Sequence, residues 1–487
     1  MKTSPLVLAL LACGCTVGPN FTPPAAPAVA GYIPPREATP QSMALGQSVT
    51  AEWWTLFRAP GVDALVKQAI NGSPTLAGAT ARVNQAQEEL TRATGAIYPA
   101  LNLQSSVTRE KLNAASFGLE PGTFPLPPNA NVYQIEPMAS YDLDLFGGTR
   151  RRIEQATALA QLQRYQLAAA YQTLTADVVS EAVALAAARA RRRALQDIMK
   201  LDQQSVHLVH VEAEGGQVPD TDLVSEQSQL AADQTLVPGP DQQIDVADHA
   251  LAVLIGRAPG DWSPPGVDLS ALTLPGEIPV SLPSALVHQR PDILAAEARL
   301  HAASAAVGVA TAQLYPSITL SASAATVALQ PTDLFSPASL AWSIAAGLTA
   351  PIYDGGMRQA ERRASLAAFK AAAADYQQTV LRAFGQVADA MQALAHDGEL
   401  AKAEQQALNE ASDSLRLERI AYRGGGIGVL PLLDAQRQYQ QAELATINAE
   451  AQRFQDAAQL LVAMGGGWWA DDQPMQEPGP LSRAPSP

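Results

Sequence analysis

Leu145-Phe146-Gly147-Gly148-Thr149-Arg150 and Tyr353-Asp354-Gly355-Gly356-Met357-Arg358 are two instances of one junction. Upstream of each glycine pair the chain alternates in character residue by residue, and downstream it becomes Ala-rich and helical. The punctuation around the junctions is duplicated too. Tyr98-Pro99 and Tyr315-Pro316 each end a helical stretch and open a strand, while Gly215-Gly216 and Gly424-Gly425-Gly426 each end a long helix. The next helix carries Gln227 in one copy and Gln436 in the other. Residues 53–256 and 284–466 are therefore two copies of one unit, joined by a linker at 257–283. Duplication on this scale decides the architecture before any chemistry is considered.

Four strands are expected, at about 101–108, 132–145, 317–328 and 340–353. Tyr133, Ile135, Pro137, Ala139, Tyr141, Leu143 and Leu145 fall on one face of the second, and Gln134, Glu136, Met138, Ser140, Asp142 and Asp144 on the other. In the third, Ile318, Leu320, Ala322 and Ala324 oppose Ser317, Thr319, Ser321 and Ser323; in the fourth, Leu340, Trp342, Ile344, Ala346 and Leu348 share a face. A soluble, half-buried sheet gives the same alternation. The strands also reach the roughly 9–11 residues that a tilted membrane-spanning strand needs, and a sheet in lipid cannot keep open edges. Single-chain membrane barrels begin at about 8 strands, so four must be pooled between copies, two giving about 8 and three about 12.

The helices expected at 150–214 and 357–422 would each run for roughly 95–100 Å at the α-helical rise. Their apolar positions are mostly Ala, which permits close helix approach, and neither is apolar enough to cross a bilayer. Read alone they would also suit a lipid-anchored coiled-coil scaffold without channel activity. A net charge of −15 argues against nucleic-acid binding. The only two cysteines, Cys13 and Cys15, lie beside the N-terminus and cannot staple the body of the chain. Residues 1–14 read as an export signal, with Lys2 ahead of an apolar run from Leu6 to Ala12, and the cysteines after it offer two registers for acylation. From there to residue 52 a Pro- and Ala-rich stretch suits an extended tether, and residues 467–487 suit a disordered tail.

No nucleophile or nucleotide motif is present: Gly424–Gly428 and Gly465–Gly467 lack the Lys-Ser/Thr of a phosphate loop and read as helix-ending turns. His207 and His210 have only Glu214 nearby, too few ligands for a metal site. Neither an enzyme nor a cofactor beyond a covalent N-terminal lipid is expected.

Cys15-Thr16-Val17-Gly18-Pro19-Asn20-Phe21 resembles the mature start of TolC-like outer-membrane efflux lipoproteins of the OprM/NodT type. So do Trp53-Trp54-Thr55-Leu56-Phe57, Ser140-Tyr141-Asp142-Leu143-Asp144-Leu145-Phe146-Gly147 and Arg290-Pro291-Asp292-Ile293. Gln313-Leu314-Tyr315-Pro316-Ser317-Ile318, Pro351-Ile352-Tyr353-Asp354-Gly355-Gly356 and Leu432-Leu433-Asp434-Ala435-Gln436-Arg437 continue the series in order. The resemblance implies a mainly α fold with a membrane β-barrel, in which a homotrimer builds a 12-stranded barrel and a long α-helical periplasmic tunnel. It implies acylation at Cys15 rather than Cys13, and function as the exit duct of a tripartite pump for drugs or other small molecules. The implied partners are a periplasmic adaptor (membrane fusion protein), an inner-membrane RND-type transporter and outer-membrane lipids. Gln134, Glu136, Asp142 and Asp144 are then expected to line the barrel. Gating is expected at the helix turns 211–224 and 422–437, with Leu430 matching an apolar constriction and Asp434 an acidic ring. Tyr422 and Arg437 are candidates for the contacts that hold the inner helices shut. Pro431 and the triple glycine replace a more usual polar turn there.

Overall fold

The computed structural model describes residues 16–25, 31–33, 43–47, 49–111, 129–466 and 468. Cys13, Cys15 and nearly all of the expected tail lie outside them. The chain divides into two compact units, one of residues 1–23, 84–162 and 297–375, the other of residues 24–83, 163–296 and 376–487. Both boundaries after the glycine pairs fall inside the two longest helices, α3 (Gly148–Glu214) and α8 (Met357–Arg423), each of 67 residues.

In the first unit, β2 (Ala100–Glu110), β3 (Ala130–Leu143), β5 (Ser317–Ala328) and β6 (Leu340–Thr349) form one antiparallel sheet in the order β2-β3-β5-β6. The register aligns the alternation across all four strands. Leu103 is paired with Pro137, Tyr141 with Leu320 and Ala322 with Ile344, so one face is mainly apolar, interrupted by Ser105 and Thr326 beside Ile135. Gln104 is paired with Glu136, Asp142 with Thr319 and Ser323 with Ser343, so the other is polar. The apolar face is bare: Leu101, Trp342 and Ile344 are 77%, 74% and 78% exposed. Strands β2 and β6 are open edges, and every residue of β6 is exposed. A sheet with an uncovered oily face and two free edges is not a finished structure in water.

Strand β3 stops two residues short of the expected 145, for a physical reason. Asp144 turns away to accept hydrogen bonds from the Thr149 and Arg150 amides, at 2.9 Å each, and so caps α3. A carboxylate there satisfies orphan N–H groups and complements the helix dipole. Asp354 does the same for α8, accepting from the Gly356 and Arg358 amides at 2.9 and 3.2 Å. Strand β6 ends before Pro351, short of the expected 353, since proline has no N–H for the ladder. Gly147, at φ +76°, occupies a left-handed turn where a Cβ would fall 2.7 Å from the Thr16 side chain.

Residues 16–21 of the expected tether are irregular, with a bend at Gly18 (φ +91°), and are tied down by hydrogen bonds. The Val17 amide donates to the Phe146 carbonyl at 3.1 Å. Buried Arg151 donates to the Val17 and Gly18 carbonyls, to Asn20 Oδ1 and to Glu154. Gly18 passes over Gly308 of α7 (Pro291–Ala312), so near that a Cβ on Gly18 would stand 2.5 Å from the Gly308 Cα. Phe21 stacks on His301 at 4.3 Å, and His301 meets Glu154 at 3.0 Å.

In the second unit, a 3₁₀ turn at Trp53–Phe57 places Trp53, Trp54 and Phe57 in the core, each 1% exposed. It leads into α1 (Pro60–Gly72) and α2 (Pro74–Gly95), and the Trp54 indole donates to Asp63 of α1 at 3.1 Å. The expected linker is also structured. Strand β4 (Ile278–Val280) pairs in parallel with β1 (Met43–Leu45), and Val267, Leu269 and Leu272 are buried. Its Pro/Gly composition gave no periodicity, but the Thr273 amide finds the Phe57 carbonyl at 3.0 Å, and two short 3₁₀ turns, Pro259–Asp261 and Leu269–Ala271, precede β4. A short helix α6 (Pro283–Leu286) follows and leads into α7.

The two copies diverge after their long helices. The first continues as α4 (Asp220–Gln234) and α5 (Pro238–Ile255), broken at 235–237 ahead of Pro238 and Pro240. The second is one helix, α9 (Val429–Ala463). Pro431 sits in its first turn, where a missing N–H costs nothing.

Candidate gate at the helix turns

Each long helix ends in the same glycine cap. Gly216 and Gly425, at φ +69° and +72°, take the left-handed position. The Gln217 amide then donates to the Glu212 carbonyl and the Gly426 amide to the Ala421 carbonyl, both at 2.9 Å. Reaching back over six residues in this way is the Schellman closure that glycine favours. It reverses the chain sharply, so α3 and α4, and α8 and α9, each form a hairpin.

Behind the turns lies an apolar cluster of Val209, Val429 and Leu433, flanked by Leu208, Val218, Leu223 and Tyr422. A second cluster joins Leu415, Leu432 and Ala435, flanked by Tyr422 and Tyr439. Tyr422 belongs to both, and its hydroxyl donates to Glu212 Oε1, which ties the end of α8 to the end of α3. On α9, Leu432, Leu433, Ala435 and Gln436 are buried, whereas Leu430 and Asp434, one turn apart, share an exposed face. Asp434 is held on that face by Gln438 at 2.9 Å and Arg437 at 3.5 Å.

A buried polar cluster lies beside these apolar groups. Asp202 of α3 is 3% exposed and accepts from the Gln436 and Gln440 amides of α9 at 3.1 and 2.9 Å; Ser205 donates to Gln436 at 3.2 Å. Burial pushes the Asp202 carboxyl above the usual carboxylate range, and the neighbouring Asp233 carboxyl of α4 adds to the effect. Glu226 of α4 is also pushed up by burial, against the opposing charge of Arg437. Farther along α9, burial and the facing carboxyl of Asp397 push Asp456 up to about 7.

Tyr422, Leu430, Asp434 and Arg437 therefore sit together, but Asp202, Glu212, Glu226 and Gln440 escaped the sequence reading. The repeat marker Gln436 was the one signal pointing there. Its counterpart Gln227 is exposed, with Glu226 buried beside it. His207 and His210 are exposed, with His210 lying 3.8 Å from Glu214.

On the sheet, Gln134 donates to Glu136 at 2.8 Å, and Asp142 accepts from Thr319 at 2.6 Å, all on the polar face. Asp144 lies beyond the strand and acts as the cap of α3.

The sequence profile of the outer membrane efflux proteins matches residues 65–257 and 282–466, one match for each copy of the repeat. The chain belongs to that family. It is similar to the pyoverdine export outer membrane protein OpmQ of Pseudomonas aeruginosa, with 31% identity over 97% of this chain and 98% of the relative. Nodulation protein T of Rhizobium leguminosarum bv. trifolii is 27% identical over 94% and 96% of the two chains. The solved outer-membrane channel OprN superposes with a TM-score of 0.84 at 28% identity, over 93% of this chain and 100% of that one. This efflux protein is therefore an outer-membrane channel whose helices extend into the periplasm. The channels it matches are trimers, and this chain carries four strands in one sheet with two open edges. Members of the family transport rather than catalyse.

Proposed function

We propose that this efflux protein is the exit duct of a tripartite pump, taking small molecules from an inner-membrane RND-type transporter through a periplasmic adaptor. The trimeric barrel carries the polar sheet face, with Gln134, Glu136 and Asp142, toward the water-filled bore. The apolar face, with Leu101, Trp342 and Ile344, meets lipid. The helix turns form the periplasmic gate. What carries this reading is the Tyr422–Glu212 tie beside Leu430 and Asp434, which leaves one apolar and one acidic side chain exposed on the same face of α9. Three copies of that face around one axis give a stacked apolar and acidic constriction. OpmQ is named for pyoverdine and other relatives for antibiotics or toluene, so the duct passes what its transporter delivers.

Tyr422→Phe removes the tie without emptying the apolar cluster. A lost hydrogen bond is worth about 1 kcal/mol in each of three protomers, so the closed-to-open ratio should fall by roughly a hundredfold. Asp434→Ala should loosen the closed state as well and weaken cation preference. Single-channel recording in planar bilayers tests both; unchanged conductance in the two variants would remove the gate from this position.

We also infer that Cys15, with Cys13 as the other register, carries the lipid that anchors the mature chain. Thr16, the first described residue after Cys15, lies against Gly147 at the foot of β3. The intact mass of the mature N-terminus should show a diacylglyceryl and an acyl group on one of these cysteines, and their absence would refute the anchor.

A further inference from the structure

The inference below rests on the gate reading above and concerns its regulation. Asp202 is clasped on one side only. Oδ1 receives the Gln436 and Gln440 amides, whereas Oδ2 has no hydrogen-bond donor among the described residues and is buried. Facing it from α4 is Asp233, another carboxyl, with buried Glu226 on the same helix. From α9 it meets the neutral Gln436 and Gln440 amides. Arg437 of α9 acts on Glu226 and is drawn to Asp434 at 3.5 Å. On α3 itself the close polar neighbour is Ser205, bonded to Gln436. An anion at Oδ2 would thus have a second anion before it and no hydrogen-bond donor among the described residues.

We propose that Asp202 holds a proton on Oδ2 in the closed gate and donates it to the facing Asp233 carboxylate, which also accepts from Gln229 at 2.9 Å, so that the clasp between α3, α4 and α9 holds when Asp202 is protonated and releases when the proton leaves. One O–H between the carboxyls gives Oδ2 a partner and removes the like-charge repulsion. Loss of the proton to water leaves a buried Asp202 carboxylate facing the half-buried Asp233 carboxylate. The sign follows from linkage. A carboxyl held above its ordinary range favours the state that binds the proton, so closure is fully supported at low pH. That support is lost as pH rises through the raised value. Periplasmic acidification would then tighten the gate and neutral pH would loosen it.

The test is single-channel recording of the full trimer from about pH 4 to about pH 8. In the wild-type trimer the open-to-closed ratio should rise about tenfold or more across that range. Asp202→Asn keeps the oxygen that accepts from Gln436 and Gln440 and presents its own N–H to Asp233, so it should stay closed at high pH with a flattened profile. His207→Gln/His210→Gln and Asp456→Asn should keep the wild-type profile, because those groups lie outside the clasp. Trimer mass and melting temperature show that each variant is folded; should Asp202→Asn fail to assemble, Asp233→Asn is expected to give the same flattened profile. A wild-type pH dependence persisting in both Asn variants, or vanishing in the histidine or Asp456 variant, overturns the Asp202 proton. Tyr422→Phe separates the two levels: if it opens the channel, the gate stands whatever becomes of the proton, and if it does not, the gate reading fails first.

Discussion

Replacement of Trp53 by alanine should cost about 3–5 kcal/mol and lower the melting temperature of the efflux trimer by many degrees. Trp53 is 1% exposed and touches three other aromatic or glycine partners at once. Its ring meets Trp54 at 6.1 Å and Phe57 at 6.3 Å, both edge to face. Gly466, just past α9, lies so close that a Cβ there would be 3.6 Å from the indole. Phe57 in turn meets Phe454 of α9 at 6.1 Å. Truncation therefore loses buried area and edge-to-face contacts, and leaves a void that rigid helices cannot collapse into. Calorimetry of the detergent-solubilised protein measures it. Trp53→Phe, which keeps an aromatic ring, should lose less than half as much; equal losses would mean that packing at this site is not what holds the unit.

Loss of Arg151 should be of similar size but confined to the N-terminal strap. Arg151→Ala strips hydrogen bonds from two carbonyls and Asn20 and leaves Glu154 without its buried partner, a loss of about 3–5 kcal/mol by analogy with broken buried pairs. Limited proteolysis should then cut within residues 16–25, and the Val17 amide should lose its protection from hydrogen exchange. Arg151→Lys should rescue little, because an ammonium cannot reach several acceptors in the planar fork that guanidinium offers. Unchanged protection at Val17 in Arg151→Ala would show that the Gly18–Gly308 contact and the Phe21–His301 stack seat the strap without the guanidinium.

Features that repeat over short stretches were readable in advance. Alternation from Tyr133 to Leu143 follows from the period of a strand, and the glycine pairs mark helix starts because backbone geometry there is a local demand. The sheet therefore emerged with its faces correctly assigned. What escaped was set by partners distant in the chain. Arg151 reaches 131 to 134 residues back to the strap, and Asp202 meets Gln436 and Gln440 some 234 and 238 residues on. Nothing near Asp202 in sequence distinguishes it from a solvated helix carboxylate. Pairing of β1 with β4 is of the same kind, since three residues in each strand carry no period to read. Asp144 was misplaced by one residue of strand, since a cap and a polar strand position look alike until the amides of Thr149 and Arg150 are seen to converge on it.

The unpaired rims of the sheet also bear on heredity. A chain that cannot offer a usable β2 or β6 edge does not merely fail by itself; it occupies a place in a ring that two sound chains then cannot complete. Where sound and edge-defective copies are made in equal amounts, only about one trimer in eight holds three sound chains. An allele that damages an edge while leaving the helices able to associate is therefore dominant, whereas an allele that abolishes the chain altogether is recessive.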